Sequence, residues 1–319
     1  MSDPCTRRLP GGAWSQSIGA SRWSTVKIEC RVPLRIDLAG GWSDIPPFAR
    51  REGGAVLNVA ITQYVTGDVW RSPEAGQENL RICYGLDLPA GAGLGSSAAL
   101  SVAWLALVHA NMGHALDRYA LARKACDLGG LLGILGGKQD EYASALGGVN
   151  LMRFGEGVEV EPLDLSAEVR EGLEARLVLC YSRRARLSSD IHDRVWGAYE
   201  RGNATVGAWL AELRDVALAM RDALVQGDFA RMAGLVNRNW AAQKRLHTSI
   251  TNADVERLVA AALGAGATAG KACGAGGGGC LVFMADPARV HAVRAALRDA
   301  GAHVIDARID WEGVVVRSS

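Results

Sequence analysis

A glycine- and serine-rich segment at residues 89–99 is the part of the sequence best suited to chemistry. It has the sequence Pro-Ala-Gly-Ala-Gly-Leu-Gly-Ser-Ser-Ala-Ala, follows a predicted strand and opens a helix predicted over residues 96–111. Glycines let backbone amides approach an anion closely, and a helix N-terminus adds unpaired N–H donors and partial positive charge. The serine hydroxyls can contact phosphate oxygens or a hydrated cation. The segment therefore predicts a phosphate-binding loop. It lacks the lysine of a Walker loop and the glycine spacing of a dinucleotide-binding fingerprint.

Two further segments place glycines beside groups that could act on a phosphate. Residues 136–143, Gly-Gly-Lys-Gln-Asp-Glu-Tyr-Ala, begin a predicted helix, whose dipole favours a charged carboxylate there. Beside a phosphate loop, Asp140 could orient or deprotonate an attacking hydroxyl, although an ordinary helix-start charge is the simpler interpretation of that residue alone. Residues 271–280 include four consecutive glycines between a predicted helix and strand, which is costly in chain entropy. A ligand or a closely packed loop must require that bare backbone.

Basic residues form two local clusters, with Arg183, Arg184 and Arg186 in one and Lys244 and Arg245 in the other. The simple interpretation is a solvated charged face. The functional interpretation is that some of these residues hold a phosphate already present on a substrate.

The elements that must position these segments mix strands and helices in both halves of the chain, which predicts an α+β protein of two domains. Strand patterns cover residues 25–39, a strand pair at 56–70 and a short strand at 80–84, followed by helices at 96–111, 118–127 and 139–145. Long helices then dominate, and a strand at 280–284, a helix at 287–300 and a strand at 304–316 end the chain. We predict a disordered leader at residues 1–24, an N-terminal domain at 25–170 and a C-terminal domain at 171–319.

Composition excludes several classes of protein. The 319 residues include 35 Lys and Arg against 34 Asp and Glu, so the formal charge of +1 gives no reason to expect nucleic acid or an acidic membrane surface as a partner. No apolar stretch approaches the ~20 residues that a membrane-spanning helix needs. Seven widely spaced cysteines without a C-x-x-C pair argue against a disulfide scaffold or zinc site and favour the reducing cytoplasm.

Together, three motifs resemble those of the GHMP kinases, a family that includes galactokinase and mevalonate kinase. They are Pro-Leu-Arg-Ile-Asp-Leu-Ala-Gly-Gly-Trp-Ser-Asp at residues 33–44, the loop at 89–99 and the glycine run at 271–280. The resemblance extends from about residue 25 to the C-terminus. It implies an N-terminal domain like ribosomal protein S5 domain 2 and a ferredoxin-like C-terminal domain.

The motifs also resemble particular sugar kinases that phosphorylate an anomeric hydroxyl. Residues 53–61, 136–148 and 240–246 are most similar to heptose 7-phosphate kinases, whereas Trp-Ser-Asp-Ile-Pro-Pro at 42–47 resembles L-fucose kinases. The heptose-type interpretation is preferred, with a fucose-type kinase acting on a free sugar as the alternative. The partner is then a small sugar or sugar phosphate. A homodimer is compatible with the sequence, which does not fix the oligomeric state.

The resemblance implies a role for each matching residue, with ATP and Mg²⁺ as cofactors. Asp140 would orient or deprotonate the anomeric hydroxyl, and Arg35 would steady the transferring phosphoryl group. ATP would be held by Gly91, Gly93, Leu94, Gly95, Ser96 and Ser97, with Ser97 on Mg²⁺. The sugar would contact Gly41, Trp42, Asp44, Gly276 and Gly277, and Arg183 and Lys244 would serve a phosphate on the sugar.

One position departs from the family pattern. The Glu that usually completes the Mg²⁺ site, about eleven residues before the catalytic Asp, is replaced by Gly129. Mg²⁺ often binds through few protein ligands and could keep an extra water there. Alternatively, the site is weakened. A non-catalytic sugar and nucleotide sensor, or a kinase for a non-sugar alcohol, are therefore further hypotheses that ADP release against a panel of sugars would separate.

Overall fold

The structure, a computed structural model, describes residues 26–74, 77–89, 91–131, 136–184 and 189–318. The predicted leader at residues 1–24 lies outside the described residues, as does Arg186. The fold contains two antiparallel sheets with helices packed against them, which confirms the predicted α+β class.

The first sheet has six strands. Strand β1 (Val26–Ala39) begins with alternating apolar residues that point into the core, which is the pattern of a strand with one buried face. The strands of the sheet lie in the spatial order β10, β1, β2, β4 and β5, with β3 also paired to β2. The strands of this sheet are β1 (Val26–Ala39), β2 (Gly54–Glu74), β3 (Gln77–Leu86), β4 (Val149–Phe154), β5 (Val158–Pro162) and β10 (Val315–Ser318).

Helices of both halves pack against this first sheet, and four of them lie close to β1. The buried helix predicted at 96–111 matches α2, and the helix predicted at 118–127 continues through Gly129 to Leu131. The helices of the first half are α1 (Pro46–Glu52), α2 (Ser96–Asn111), α3 (Arg118–Leu131), α4 (Gln139–Leu146) and α5 (Ala167–Glu174).

The second sheet has four strands in the order β7, β8, β6 and β9, in agreement with a ferredoxin-like domain. Its strands are β6 (Leu177–Tyr181), β7 (Ala267–Ala272), β8 (Cys280–Ala285) and β9 (His303–Ile305). Helices α8, α9 and α10 pack against this sheet, whereas α7 packs against β1 and β2 of the first. The helices of the second half are α6 (Ser189–Glu200), α7 (Ala204–Val225), α8 (Phe229–Leu246), α9 (Ala253–Gly264) and α10 (Pro287–Asp299), and a 3-10 turn covers Thr248–Ile250.

Two predicted strands differ from the structure. The strand pair predicted at 56–70 is one continuous strand, β2, which pairs with β1 along nearly its whole length because β1 is itself long. The single strand predicted at 304–316 is instead β9 and β10, which belong to different sheets. The end of the chain thus returns to the first sheet and pairs with β1, although the predicted domain boundary places it in the second domain.

Two further features are the apolar character of the helices and the state of the cysteines. No helix among the described residues is long and apolar enough to cross a membrane. Cys30, Cys126, Cys180, Cys273 and Cys280 are free thiols, and Cys83 is disulfide-bonded.

Candidate active site

A cavity of about 620 Å³ lies where the first sheet meets the glycine run of the second half. Its lining comes from seven parts of the chain: β1, the loop before α1, the segments at the starts of α2 and α4, helices α3 and α6, and the loop between β7 and β8. The predicted site residues that line it are Arg35, Gly41, Trp42, Asp44, Gly91, Gly93, Gly95, Ser96, Ser97, Asp140 and Gly276.

The loop before α2 has the geometry of an anion site. Gly91, Gly93 and Gly95 all have positive φ, between 76° and 82°, a conformation that other residues adopt only with strain. Gly95 is the N-cap of α2, and no side chain caps the helix, so its first amide N–H groups remain available to a ligand. Ser97 is exposed at this end, whereas Leu94 is fully buried and anchors the loop.

The glycines of residues 271–280 allow the loop between β7 and β8 to pack directly against the loop before α2. A Cβ added to Gly279 would lie 2.6 Å from the carbonyl oxygen of Ala92, and one added to Gly93 would lie 2.9 Å from that of Cys273. The backbone amide of Cys280 donates a hydrogen bond to the Ala92 carbonyl at 2.7 Å. Side chains at these glycines would separate the loops, so the run shapes one wall of the cavity.

Two predicted substrate residues of that run have different positions. Gly276 lines the cavity. Gly277 is absent from the cavity lining, and its amide donates to the Ile250 carbonyl at 2.6 Å.

Arg35 and Asp140 form a charged pair at the centre of the cavity. Nε and Nη2 of Arg35 each donate to one carboxylate oxygen of Asp140 at 2.8 Å, and Nη1 donates to the Gly93 carbonyl at 2.8 Å. Burial opposes the guanidinium charge, yet the carboxylates of Asp140 and Asp37 raise the pKa of Arg35 further, so it stays cationic. A Cβ on Gly95 would lie 3.1 Å from the Asp140 carboxylate, which places the pair beside the phosphate loop.

Asp44 is a buried carboxyl group on another wall of the cavity, with 3% of its surface exposed. Burial and the nearby charge of Asp140 raise its pKa to about 7. The amide of Gln139 donates to it at 3.4 Å, and a Cβ on Gly137 would lie 1.7 Å from its Oδ2. Gly137 is therefore bare because the carboxyl group occupies that space.

Trp42 is held in an unusual backbone conformation beside Asp44. Its φ is 83°, which is a strained value for a residue with a bulky side chain. The ring lies edge-on to His192 at a centroid distance of 4.9 Å, and its buried indole Nε1 has no hydrogen-bond partner among the described residues. Strain and an unused donor in a cavity are typical of a ligand-contacting residue.

A buried ion pair, which the sequence analysis did not identify, lies on β1 next to the position of Arg35. Lys271, fully buried on β7, donates to the Asp37 carboxylate at 2.6 Å, and Asp37 also accepts from the amide of Gly274 at 3.0 Å. Asp37 lies two residues after Arg35 on β1. The pair connects β1 to the second sheet and fixes where the glycine run begins.

Sequence reasoning also missed Glu141 and His192, which line the cavity. Burial and then the charge of Asp140 raise the pKa of Glu141 to about 8, and its Oε2 has no hydrogen-bond partner. The sequence signal for Glu141 was present, since it follows Asp140 in the first turn of α4.

The two basic residues predicted to hold a phosphate of the sugar lie outside the cavity lining. Arg183 is exposed and has a φ of 61°. Lys244 donates to Glu256 at 3.2 Å and lies over the Trp240 ring. The geometry of the cavity therefore gives no support to the prediction that these two residues bind a phosphate of the sugar.

The residues present fit a Mg²⁺ ion bound mainly through a nucleotide. No cluster of three or more His, Cys, Asp or Glu side chains that could hold a metal occurs in the described part of the chain. Mg²⁺ commonly uses one or two protein oxygens together with phosphates and water. The exposed Ser97 is an oxygen donor of that kind, and Asp140 and Glu141 also line the cavity.

Known proteins share the sequence motifs and the fold of this chain. The GHMP kinase N-terminal domain model matches residues 63–148, and the GHMP kinase C-terminal model matches residues 220–303. Because the two models together match more than half of the chain, the chain belongs to the GHMP kinases and is an ATP-dependent kinase. The family predicted from the three glycine-rich motifs is thereby confirmed.

Within the family, individual relatives are similar over nearly the full length. The chain is 28% identical to D-glycero-alpha-D-manno-heptose 7-phosphate kinase of Campylobacter jejuni, an alignment covering 90% of this chain and 98% of that protein. It is 27% identical to the Bacteroides fragilis L-fucokinase/L-fucose-1-P guanylyltransferase, but spans 36% of that longer protein. A crystal structure of a D-glycero-D-manno-heptose 1-phosphate kinase from Bacteroides thetaiotaomicron superimposes with a TM-score of 0.72 at 25% identity, covering 91% of this chain and 98% of the other.

Proposed function

We propose that this protein transfers the γ-phosphate of ATP to the anomeric C1 hydroxyl of a heptose 7-phosphate-like sugar. The observation that carries the proposal is the bidentate Arg35–Asp140 pair beside the phosphate loop. Phosphoryl transfer asks mainly for positioning and charge neutralisation, and this pair supplies a cation and a hydroxyl-directed carboxylate at one point. The similarity to the Campylobacter jejuni heptose 7-phosphate kinase supports the choice of sugar.

Each wall of the cavity has a part in this proposal. The amides at the start of α2 bind the ATP phosphates, and Arg35 neutralises charge that develops on the transferring group. Asp140 accepts the proton of the attacking hydroxyl or orients it. Asp44 accepts hydrogen bonds from sugar hydroxyls, and the Trp42 indole lies beside the ring. Mg²⁺, when bound with the nucleotide, supplies neutralisation of the phosphate charge.

A free sugar of the L-fucose type is the second candidate, and one observation favours it. Arg183 and Lys244, the residues predicted to hold a phosphate on the sugar, do not line the cavity, and Lys244 is already paired with Glu256. Among the described lining residues, Arg35 and His192 are the basic ones, and Arg35 is paired with Asp140.

The test is ADP release with a panel of sugars. Heptose 7-phosphate, the same heptose without phosphate, L-fucose and a non-sugar alcohol are compared at equal concentration. The proposal predicts the highest kcat/KM for heptose 7-phosphate, with the product carrying its new phosphate on C1 by ³¹P–¹H correlation NMR. A higher kcat/KM for L-fucose or for the free heptose would reject the 7-phosphate, and a product phosphorylated elsewhere would reject C1.

A further inference from the structure

Helix α8 carries two amide side chains that are buried although they are polar. Asn239 and Gln243 are four residues apart, so they are neighbours on one face of the helix. Their exposed fractions are 0% and 1%. A primary amide has two N–H donors and an oxygen acceptor, and when it is buried these need partners within the protein. Both side chains find those partners in loops that form the active-site cavity.

The amide of Asn239 is bonded to the loop that leads into the proposed sugar side of the cavity. Its Oδ1 accepts a hydrogen bond from the backbone amide of Gly40 at 2.9 Å. Gly40 opens the loop that carries the lining residues Trp42 and Asp44. The φ of Gly40 is 88°, and an added Cβ would lie 2.0 Å from a carbonyl oxygen of β2. The loop therefore starts at one tightly packed position, which Asn239 holds from the second half of the chain.

The amide of Gln243 is bonded to a different wall of the cavity. Its Nε2 donates to the carbonyl of Gly274 at 2.9 Å. Gly274 lines the cavity, and its own amide donates to Asp37 at 3.0 Å, so both of its backbone polar groups are bonded. A Cβ added to Gly274 would lie 2.9 Å from the carbonyl oxygen of Gly93, so this glycine packs directly against the phosphate loop. Gln243 thus holds the part of the glycine run that supports that loop.

A hydrogen bond between the two amides fixes the orientation of both. Nδ2 of Asn239 donates to Oε1 of Gln243 at 3.4 Å. Gly40 presents an N–H group, so the oxygen of Asn239 must face it, and Gly274 presents a carbonyl, so the nitrogen of Gln243 must face that. The remaining nitrogen and oxygen then meet with complementary polarity. Three hydrogen bonds thus connect the loop at 40–44 with the glycine run through α8.

We propose that Asn239 and Gln243 are positioning residues of the active site. Asn239 positions the loop that contacts the sugar, and Gln243 positions the glycine run beneath the phosphate loop. Neither side chain is part of the cavity lining in the described structure, so each acts through the loop to which it is bonded. The assignment of the loop at 40–44 to the sugar rests on the proposed function.

The test separates the two loops with variants of similar size. Asn239→Leu leaves the Gly40 amide without its acceptor, so hydrogen exchange in peptides covering residues 38–45, measured by mass spectrometry without ligands, should be about tenfold faster. The KM for heptose 7-phosphate should also rise about tenfold, while the Kd for AMP-PNP, a non-hydrolysable ATP analogue, stays close to the wild-type value in calorimetry. Gln243→Met leaves the Gly274 carbonyl without its donor and should show the reverse, with AMP-PNP affinity about tenfold weaker and the sugar KM little changed.

Two further variants make the result specific. Asn237→Leu is the matched control, because Asn237 lies on the same helix and donates to the carbonyl of Thr268 at 2.9 Å, yet is exposed. Its exchange at residues 38–45, its sugar KM and its AMP-PNP affinity should match those of the wild type. Asn239→Asp keeps an oxygen facing Gly40 and removes the donor to Gln243, so exchange at residues 38–45 should stay close to the wild-type rate.

Several outcomes would overturn the inference. Unchanged exchange at residues 38–45 in Asn239→Leu would reject the role of Asn239, and unchanged AMP-PNP affinity in Gln243→Met would reject that of Gln243. Equal losses of sugar and nucleotide binding in both variants would show a general structural role instead. If either variant does not fold, alanine replaces the same residue and the same outcomes apply. Exchange and AMP-PNP binding are measured without sugar, so failure of the sugar panel leaves them unaffected. Faster exchange with an unchanged sugar KM would reject only the part that rests on the proposed function.

Discussion

Asp140 and Arg35 share two hydrogen bonds, so either residue affects the position of the other. Asp140→Asn keeps one oxygen that can accept from Arg35 but removes the carboxylate. If Asp140 acts on the sugar hydroxyl, kcat should fall by about 10²–10⁴-fold, the usual loss for a general base, with little change in ATP affinity. Steady-state kinetics and a nucleotide titration check this.

The matched control for that substitution is Asp164→Asn, which changes a fully exposed carboxylate paired with Arg170. Its turnover should equal that of the wild type, since a surface ion pair contributes little. Near-wild-type kcat in Asp140→Asn would remove Asp140 from the proposed mechanism.

The raised pKa of Asp44 gives a prediction for how the free energy of unfolding depends on pH. Its pKa is about 7 in the folded protein because burial disfavours the charge, whereas the unfolded value is near 3.8. Between these values the folded state holds a proton that the unfolded state has lost, so this group lowers the free energy of unfolding as pH rises from about 4 to 7. Asp44→Asn should therefore gain stability relative to the wild type across that range and show no further change above it. Urea unfolding at pH 4, 5.5, 7 and 8 measures the difference.

A constant difference between Asp44→Asn and the wild type over that pH range would contradict the raised pKa. Glu141, whose pKa is also raised, is present in both proteins and so cancels to first order in the comparison. If Asp44 accepts hydrogen bonds from sugar hydroxyls as proposed, the same titration affects binding, because the ionised carboxylate is the stronger acceptor. The KM for the sugar should fall as pH rises through about 7, and should do so much less in Asp44→Asn.

At the scale of elements, two glycine-rich loops meet, and their contact can be separated from backbone strain. Gly279 has a φ of 74°, and its added Cβ would meet the Ala92 carbonyl at 2.6 Å. Gly301 has a φ of 88° but no atom within 4 Å of an added Cβ. Gly301→Ala should therefore lower the free energy of unfolding by about 1 kcal/mol, which is the cost of placing a residue other than glycine in the left-handed conformation. Gly279→Ala should cost clearly more and weaken ATP binding, because residues 91–93 must move.

Equal melting temperatures for Gly279→Ala and Gly301→Ala would show that the two loops separate without penalty. A nucleotide titration of both variants completes the comparison. ATP affinity should be unchanged in Gly301→Ala, which lies at the end of α10 and away from the cavity lining.

The helices and strands also show which features could be predicted from the sequence. The helix opened by the glycine loop, α2, was predicted with correct ends because its cause is local: glycines, then a buried Ala- and Leu-rich run. The contact between the two loops, the α4 residue Glu141 facing Cys126, and β10 pairing with β1 depend on distant segments. Lys271 and Asp37 are 234 residues apart in the chain, and no local pattern indicates that they pair. Thus the glycine-rich segments that line the cavity were predictable, and the contacts that support them were not.

At the scale of the whole molecule, the buried Lys271–Asp37 pair joins the two sheets at the base of the cavity. Both side chains are almost completely buried, at 0% and 1% exposure, so neither can be solvated if the other is removed. Breaking such a pair by removing one partner typically costs about 3–5 kcal/mol, because the remaining charge stays buried. The pair also places Gly274, whose amide donates to Asp37, so its loss should disturb the wall formed by the glycine run.

Lys271→Met therefore tests how the molecule holds its two halves together. Met is close in length and apolar, so packing is retained while the charge is lost, and denaturant unfolding should show a loss of about 3–5 kcal/mol. Arg294→Met breaks an ion pair with Asp306, which is 92% exposed, and should cost less than about 1 kcal/mol. Adding Asp37→Asn to Lys271→Met removes the orphaned charge and should recover part of the lost stability. If the double variant were less stable than Lys271→Met by the full cost of Asp37→Asn alone, the two residues would be energetically independent, and the connection between the sheets would have to come from the loop contacts instead.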